Sequence, residues 1–469
     1  MEVDEPVSPT GQYFTSSVIS VAVIAVLESE KPIDDSHTFS LLQNVFLPIS
    51  SRFSSVMVED ENGTKHWKKV EVSLQDHVRT PILPAGQPPE FYDQYFSDYL
   101  SKISLEQLPQ SRPLWEIHIF KYPTKTAAGN VVFKLHHALG DGYSLMGALL
   151  SCLQRADNPE IPLTFPSFNP TKEEARNKAR DRAQQGCLGL SGLIDTVRDF
   201  GWSLMKSCMI EDDRSPIRSG DQGVEFRPIT ISTLSFSLDR IKQIKANLHV
   251  TINDVICGVL FLGIRLYMQS AKHEQRNAEA TSLVLLNTRN IGGYRSVSEM
   301  VEPEADSPWG NQFAFLHVSV PKLSADDTNL DDPLEFVFRA RKVIKRKKNS
   351  AAVVLTGKLL DTLRRWRGPE VTAKYIHSTL KNTSMTISNI KGPIEKLSLS
   401  NHPVHGFYFM VVGVPQSLTI TMVSYMGELR VAVGTENGLI DGPKFKSSIQ
   451  KAFDLIFKAA VPTPSIKNA

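Results

Sequence analysis

His136-His137-Ala138-Leu139-Gly140-Asp141-Gly142 is the stretch on which the reading of this chain turns. The run before it, Val131-Val132-Phe133-Lys134-Leu135, has the β-branched and aromatic content of a strand. The run after it, Tyr143-Ser144-Leu145-Met146-Gly147-Ala148-Leu149-Leu150, has the spacing of a buried helix. Gly140 and Gly142 are read as permitting the sharp turn between the two. Two histidines thus stand where a strand gives way to a loop and then a helix, the kind of position where a rigid scaffold presents binding and catalytic groups.

Strand geometry separates the pair. Val131, Phe133, Leu135 and His137 share one face, and Val132, Lys134 and His136 the other. Adjacent histidines on an extended strand are poorly placed to grip one metal ion, and no third or fourth ligand follows at zinc-like spacing. No metal site is expected. Asp141 is expected to cap the helix that begins near Tyr143. A lone histidine here would read as a buried ring satisfied by backbone groups; the paired histidines and the glycine-flanked aspartate favour chemistry.

At this point the chain resembles a known family. His136 to Gly142 matches the HHxxxDG signature of the CoA-dependent acyltransferase superfamily, and the closer resemblance is to the plant form of the wax ester synthase/diacylglycerol acyltransferase family. Four further segments carry it. Pro6-Val7-Ser8-Pro9 is similar to that family's PLSP motif, with Val for Leu. Arg112-Pro113-Leu114-Trp115-Glu116 is similar to its PLWE segment, and Thr251-Ile252-Asn253-Asp254-Val255 to its TVNDV helix start. Ser388-Asn389-Ile390-Lys391-Gly392-Pro393 is similar to its SNVPGP segment, with Lys for Pro. Together they span nearly the whole chain. Asp199-Phe200-Gly201-Trp202 looks like the DFGWG motif of plant BAHD acyltransferases, but it falls too early in the chain and ends in Ser203, so it reads as coincidence.

The resemblance implies an α/β fold of two chloramphenicol-acetyltransferase-like subdomains, each a mixed sheet with helices, around a central channel with the motif loop at its middle. It implies an acyl-CoA-dependent O-acyltransferase, with acyl-CoA as co-substrate and no cofactor. Transfer from a thioester to an alcohol needs a base for the hydroxyl proton and donors for the oxyanion. Histidine suits the first because its pKa lies near working pH. By resemblance His137 is the base and then protonates the departing CoA thiolate, with no acyl-enzyme; the cysteines carry no nucleophile motif. Asp141 would turn away and pair with an arginine that fixes the loop. Arg289, in Leu286-Asn287-Thr288-Arg289, is the candidate, a solvated surface arginine being the alternative. Asn253 would support the site or the oxyanion, or serve only in capping its helix behind Thr251. His136 and Gly142 support the motif, His136 through packing.

Three readings of function follow. The first is transfer of a fatty acyl group to a long-chain alcohol, giving wax esters. The second is transfer to diacylglycerol at the same site. The third is a non-catalytic lipid- or partner-binding relative, against which intact His137 and Asp141 count.

Composition fits a large globular body. The chain has 469 residues, about two domains on a length prior, and a formal net charge of +2, which suggests no nucleic-acid partner. Cys152, Cys187, Cys208 and Cys257 form no close pair, as expected of thiols facing the cytosol. The acidic N-terminus lacks a signal-peptide charge pattern. A Pro-rich and then charged stretch from Asn158 to Gln185 reads as a connector, dividing the chain into residues 1–157 with the motif, 158–222 as connector with an amphipathic helix, and 223–469. Strands are expected near 17–27, 115–121, 131–137, 281–287, 313–319, 384–388, 417–424 and 428–434, and helices near 252–269, 334–348 and 444–459.

Neither of the two candidate membrane spans qualifies. Val18 to Leu27 is far short of the ~20 apolar residues a span needs. Cys187 to Ile210 carries Asp195, Arg198, Asp199 and Lys206, while Leu190, Leu193, Ile194, Val197, Phe200, Leu204 and Met205 recur at helical spacing. That helix fits a membrane surface or the protein's own body equally. The basic run Arg339, Arg341, Lys342, Lys345, Arg346, Lys347, Lys348 fits anionic lipid or CoA phosphates, or a solvated helix face. The expected location is the cytosolic face of the endoplasmic reticulum membrane, or the plasma membrane.

Overall fold

The structure, a computed structural model, describes residues 5–61, 65–161, 163, 190–287, 309–323 and 332–461. Its strands are β1 (Glu5–Pro6), β2 (Ala22–Ser29), β3 (Ser55–Glu59), β4 (Lys65–Lys69), β5 (Val78–Arg79), β6 (Trp115–Phe120), β7 (Gly129–His136), β8 (Gln154–Arg155), β9 (Ile229–Ser237), β10 (Thr281–Asn287), β11 (Phe313–Ser319), β12 (Met385–Ile390), β13 (Leu397–Leu399), β14 (His402–Val412), β15 (Leu418–Tyr425) and β16 (Glu428–Glu436). Its longer helices, with one short N-terminal turn, are α1 (Pro9–Phe14), α2 (Pro89–Leu105), α3 (Gly142–Ser151), α4 (Leu190–Cys208), α5 (Leu238–Leu248), α6 (Ile252–Ala271), α7 (Leu334–Asn349), α8 (Ala352–Arg367), α9 (Pro369–Lys381) and α10 (Gly442–Ala460).

Two mixed sheets and a small antiparallel one, β1-β4-β3, organise these elements. The first mixed sheet runs β5-β6-β7-β2-β14-β13-β8 and the second β11-β10-β12-β15-β16-β9. In the first, β2 and β7 pair antiparallel at the centre and are covered on both faces. This explains why they read as nearly continuous apolar runs. Period-two alternation then sorts the side chains. Val23, Leu27, Val131, Phe133 and Leu135 join a core with Leu145 and Leu149 of α3. Ile24, Val26 and Val132 join another with Tyr92, Phe96 and Leu100 of α2.

The first sheet is not drawn from N-terminal residues alone. β14 lies antiparallel to β2, with Phe409 opposite Ala25, and brings Phe407 and Phe409 into the core that holds Phe46 and Trp115. The sequence reading did not anticipate β14, because Pro403 and Gly406 punctuate it. The partition at 157 and 223 remains a proposal about folding units, and β14 ties the two parts together.

In the second half, α6 starts at a capping box in which Thr251 Oγ1 accepts from Asp254 N at 3.1 Å and Asp254 Oδ2 from Thr251 N at 2.9 Å. By length and composition alone this helix could cross a bilayer, yet most of it is buried in the protein between α7 and α10. Arg265 lies wholly inside. Its guanidinium donates to the carbonyls of Pro321 at 2.7 Å, Arg276 at 3.2 Å, Ala278 at 2.8 Å and Val320 at 2.8 Å. Burial lowers its pKa to about 10, so it stays charged at neutral pH.

Arg265→Leu leaves these carbonyls without their donor, and each buried unpaired polar group costs about 1–3 kcal/mol. The variant is expected to melt well below the parent and to lose near-UV circular dichroism. Arg265→Lys should recover little, since a single ammonium cannot reproduce the fork.

Candidate active site

β7 ends at His136, and the chain turns at once. His137 N donates to Val21 O at 2.9 Å, and Leu139 N to His136 O at 3.0 Å. Neither Gly140 nor Gly142 adopts a left-handed φ, so the turn does not use their conformational freedom as the sequence suggested. Space is the reason for Gly142: a Cβ there would stand 2.4 Å from Ile390 Cδ1. Ile390 belongs to the Ser388–Pro393 segment singled out in the sequence, so two of its motifs meet at this glycine.

The His137 ring is buried between Phe14, with ring centroids 4.8 Å apart, and Phe313, at 5.6 Å. Its Nδ1 lies 2.9 Å from Asn311 Oδ1, and Asn311 Nδ2 donates to the backbone carbonyl of His137 at 2.9 Å. These contacts fix the tautomer. A backbone carbonyl can only accept, so the amide nitrogen must face it and the amide oxygen must face the ring. Nδ1 therefore carries the proton and Nε2 keeps its lone pair. Burial lowers the His137 pKa below the ordinary histidine value, against the opposing pull of the Asp141 charge and the Asn311 hydrogen bond.

Asp141 is the N-cap of α3 and accepts from Ser144 N at 3.0 Å through Oδ1. Its Oδ2 accepts from Gln312 N at 2.9 Å, and its own N–H donates to Gly310 O at 3.2 Å. Ser144 Oγ donates to Gly310 O at 3.0 Å and accepts from Gly310 N at 3.1 Å. Trp309 Nε1 donates to Leu139 O at 2.7 Å, and Arg52 to the same carbonyl at 3.2 Å. Gly310 has φ +133°, a backbone that side-chain-bearing residues rarely adopt. Residues 309–312 are thus laced to the motif loop through both backbone and side chains. Sequence reasoning missed them: it took the strand from 313 and passed over Trp309-Gly310-Asn311-Gln312, a small polar run directly before it.

The other residues singled out fall as follows. His136 Nδ1 accepts from Ala138 N at 3.1 Å, and Nε2 donates to Ser20 Oγ at 3.2 Å. Burial holds its pKa down to about 3, so it is neutral. Asn253, half-buried in the first turn of α6, sits 3.5 Å from Asn389 Nδ2 through its Oδ1, a long contact. Asn389 adjoins Ile390, which abuts Gly142. Arg289 and Cys187 lie outside the described residues. Among the described residues no cluster of His, Cys, Asp or Glu could hold a metal ion.

Cavities flank the loop on both faces of the sheet. One of about 480 Å³ is lined by apolar groups, among them Gly142, Leu135, Met146, Leu149, Ile390 and Phe133. Phe133 also lines a second, of about 600 Å³, that reaches Ile33, Ser400 and His402. A third, of about 1480 Å³ and more polar, includes Ser20, His136, Lys65 and Gln107. The first two are narrow, and their lining is apolar, as a hydrocarbon chain requires.

The chain matches two family models: "Wax ester synthase/diacylglycerol acyltransferase catalytic domain" over residues 40–256 and "WS/DGAT C-terminal domain" over 309–457. It is 29% identical to wax ester synthase/diacylglycerol acyltransferase 4 of Arabidopsis thaliana, covering 94% of this chain and 87% of that protein. It is also 29% identical to member 6 of the same plant, covering 94% and 91%. Among solved structures it is similar to the wax ester synthase/diacylglycerol acyltransferase of Marinobacter aquaeolei VT8, with TM-score 0.59, 15% identity and coverage of 97% of this chain and 99% of that one. It also resembles the first condensation domain of the CDA synthetase, with TM-score 0.56, 13% identity and coverage of 97% and 92%. At these identities the structural likenesses establish the fold.

Two substitutions separate the contacts. Asp141→Ala removes an N-cap and the acceptor for Gln312 N; a stability loss of about 1–3 kcal/mol is expected, read as a lowered thermal midpoint. Asn311→Asp sets a carboxylate against Nδ1 and should raise the His137 pKa. If neutral His137 acts as the base, activity persists as pH falls through 6.5 and is lost only below it, and Asn311→Asp moves that acid limb to higher pH in a kcat/KM profile.

Proposed function

We propose that this chain, which belongs to the wax ester synthase/diacylglycerol acyltransferase family and is an acyl-CoA-dependent O-acyltransferase, moves a long-chain acyl group to a long-chain fatty alcohol, making a wax ester, with His137 as general base. The observation that carries the reading is the Asn311 amide on Nδ1, which leaves Nε2 as the free basic atom. In this reading Nε2 takes the alcohol proton as its oxygen attacks the thioester carbonyl. The tetrahedral intermediate collapses, the carbon–sulfur bond breaks, and the proton passes from Nε2 to the CoA thiolate. The imidazolium formed in between is held by the Asn311 oxygen and, at longer range, by the Asp141 charge.

Other residues take supporting roles in the same reading. Asp141 orders the loop as a positioning residue. Asn253 supports the site from the neighbouring helix, Gly142 keeps its wall open, and His136 is a neutral packing group. The apolar cavities at Gly142 and Phe133 support a long alkyl chain as part of the substrate. Diacylglycerol is the other acceptor that the family's chemistry allows, since it presents a hydroxyl to the same base. Substrates of this kind reside in membranes, and the reading locates the enzyme on the cytosolic face of the endoplasmic reticulum.

An acceptor panel tests the substrate. Purified protein with palmitoyl-CoA is offered hexadecanol or dioleoylglycerol, and products are scored as wax ester and triacylglycerol. Wax ester should dominate; triacylglycerol alone would reassign the acceptor, and neither product would leave a non-catalytic relative. For the base, His137→Ala is expected to lower turnover by about 10²- to 10⁴-fold, with the thermal midpoint little changed. Near-parental turnover by a folded variant would remove His137 from the mechanism.

A further inference from the structure

α4 packs on the protein by its polar side. Thr196, Asp199, Lys206 and Ser207 are buried. Asp199 Oδ1 accepts from Arg346 at 2.9 Å and Lys347 at 3.4 Å, both on α7. Ser203 Oγ hydrogen-bonds His317 Nδ1 at 2.9 Å, and Lys206 pairs with Asp212 at 2.5 Å. The opposite face is apolar and open. Ile194 is 64% exposed and Val197 69%, followed by Leu204 and Met205, and by Met209 just past the helix end. Positions 194, 197, 204 and 205 fall on one side at helical spacing. An amphipathic helix of a soluble body ordinarily turns such a stripe to the core; here the polarity is reversed.

The stripe has neighbours of the same kind. α8 packs beside α4 and has only Ala352 buried. It exposes Val354, Leu355 and Trp366, the last 82% accessible, on a helix that also carries Lys358, Arg364, Arg365 and Arg367. On α7, exposed Phe338 shares a shallow groove with Arg341, Lys342, Lys345 and Arg346.

We propose that α4, α8 and the outer side of α7 form a docking face for a bilayer that carries anionic headgroups. The apolar stripe and Trp366 would enter the boundary between headgroups and acyl chains, where exposed tryptophan and flanking cations are at home. The Lys and Arg side chains around them meet lipid phosphates and carboxylates. That cationic surround is what selects a lipid surface over a second copy of this chain, since a two-fold contact through this face would set like charges against each other. Of the two alternatives the sequence leaves for this helix, the outward stripe favours the membrane surface. Of the apolar residues named there from the sequence, Phe200 is half-buried, and the Leu190 and Leu193 side chains fall outside those described.

The proposal builds on the reading of lipid substrates, but flotation and fluorescence need no turnover, so either can fail alone. The full chain is mixed with vesicles of phosphatidylcholine, with or without a minority of phosphatidylserine, and floated on a density gradient. It should float with the anionic vesicles, less so in high salt, and its fluorescence should shift to the blue, a shift reduced by Trp366→Phe. Val197→Glu with Leu204→Glu, both at exposed positions, should weaken binding on the order of 10-fold while leaving turnover of a short, water-soluble alcohol unchanged. The proposal is overturned if the protein never floats, or if the double variant floats like the parent. It is equally overturned if the parent is a dimer that the double variant dissociates while neither binds vesicles, which would mark the face as a contact between copies.

Discussion

The interlock between the motif loop and residues 309–312 is the constraint on which the site depends. The loop leaves β7 in the first sheet, while residues 309–312 lead into β11 of the second. Asp141, Ser144 and Leu139 bind the backbone or side chains of Gly310, Gln312 and Trp309, and Asn311 holds His137 by ring and carbonyl together. A defined tautomer follows from that clamp, while burial, working against the Asn311 bond, keeps the imidazole neutral. The clamp also sets the ring between Phe14 and Phe313, a placement which excludes water and depresses its pKa. Buried networks of this kind are worth most when every member is satisfied.

Much of the fold was legible because its strands are buried on one or both faces and alternate accordingly. β10 and β11 match the ranges expected from periodicity, and β6, β7, β12, β15 and β16 differ by a residue or two at their ends. What escaped reading has physical causes. β14 carries Pro403 and Gly406, and α2 opens with Pro89 and mixes acids and aromatics through its length. The partner of His137 escaped for a different reason. Asn311 is 174 residues away, and a side-chain amide that fixes a tautomer leaves no local pattern. Asp141 was legible as a cap because capping is local: its partner Ser144 N lies three residues on. The arginine expected to pair with it, Arg289, lies outside the described residues.

The two glycines of the motif show how a correct residue can be read for an incomplete reason. Their sequence context suggested conformational freedom. The structure gives them ordinary backbone and crowded surroundings, with Ile390 against Gly142 and Ser144 against Gly140. The same shift from local to tertiary cause applies to α4. Its periodicity defined an amphipathic helix, but only the packing of Asp199 and Lys206 into ion pairs reveals which side faces out. Pattern fixes the stripe, and tertiary partners fix its direction.

The central claim is the protonation state of one ring. Histidine labelled with ¹⁵N, with His137 assigned by its loss in His137→Gln, reports tautomer and charge directly. The expected result is a neutral ring at pH 6.5, with the proton on Nδ1 and a free lone pair on Nε2. A ring charged at that pH, or one carrying its proton on Nε2, would contradict it.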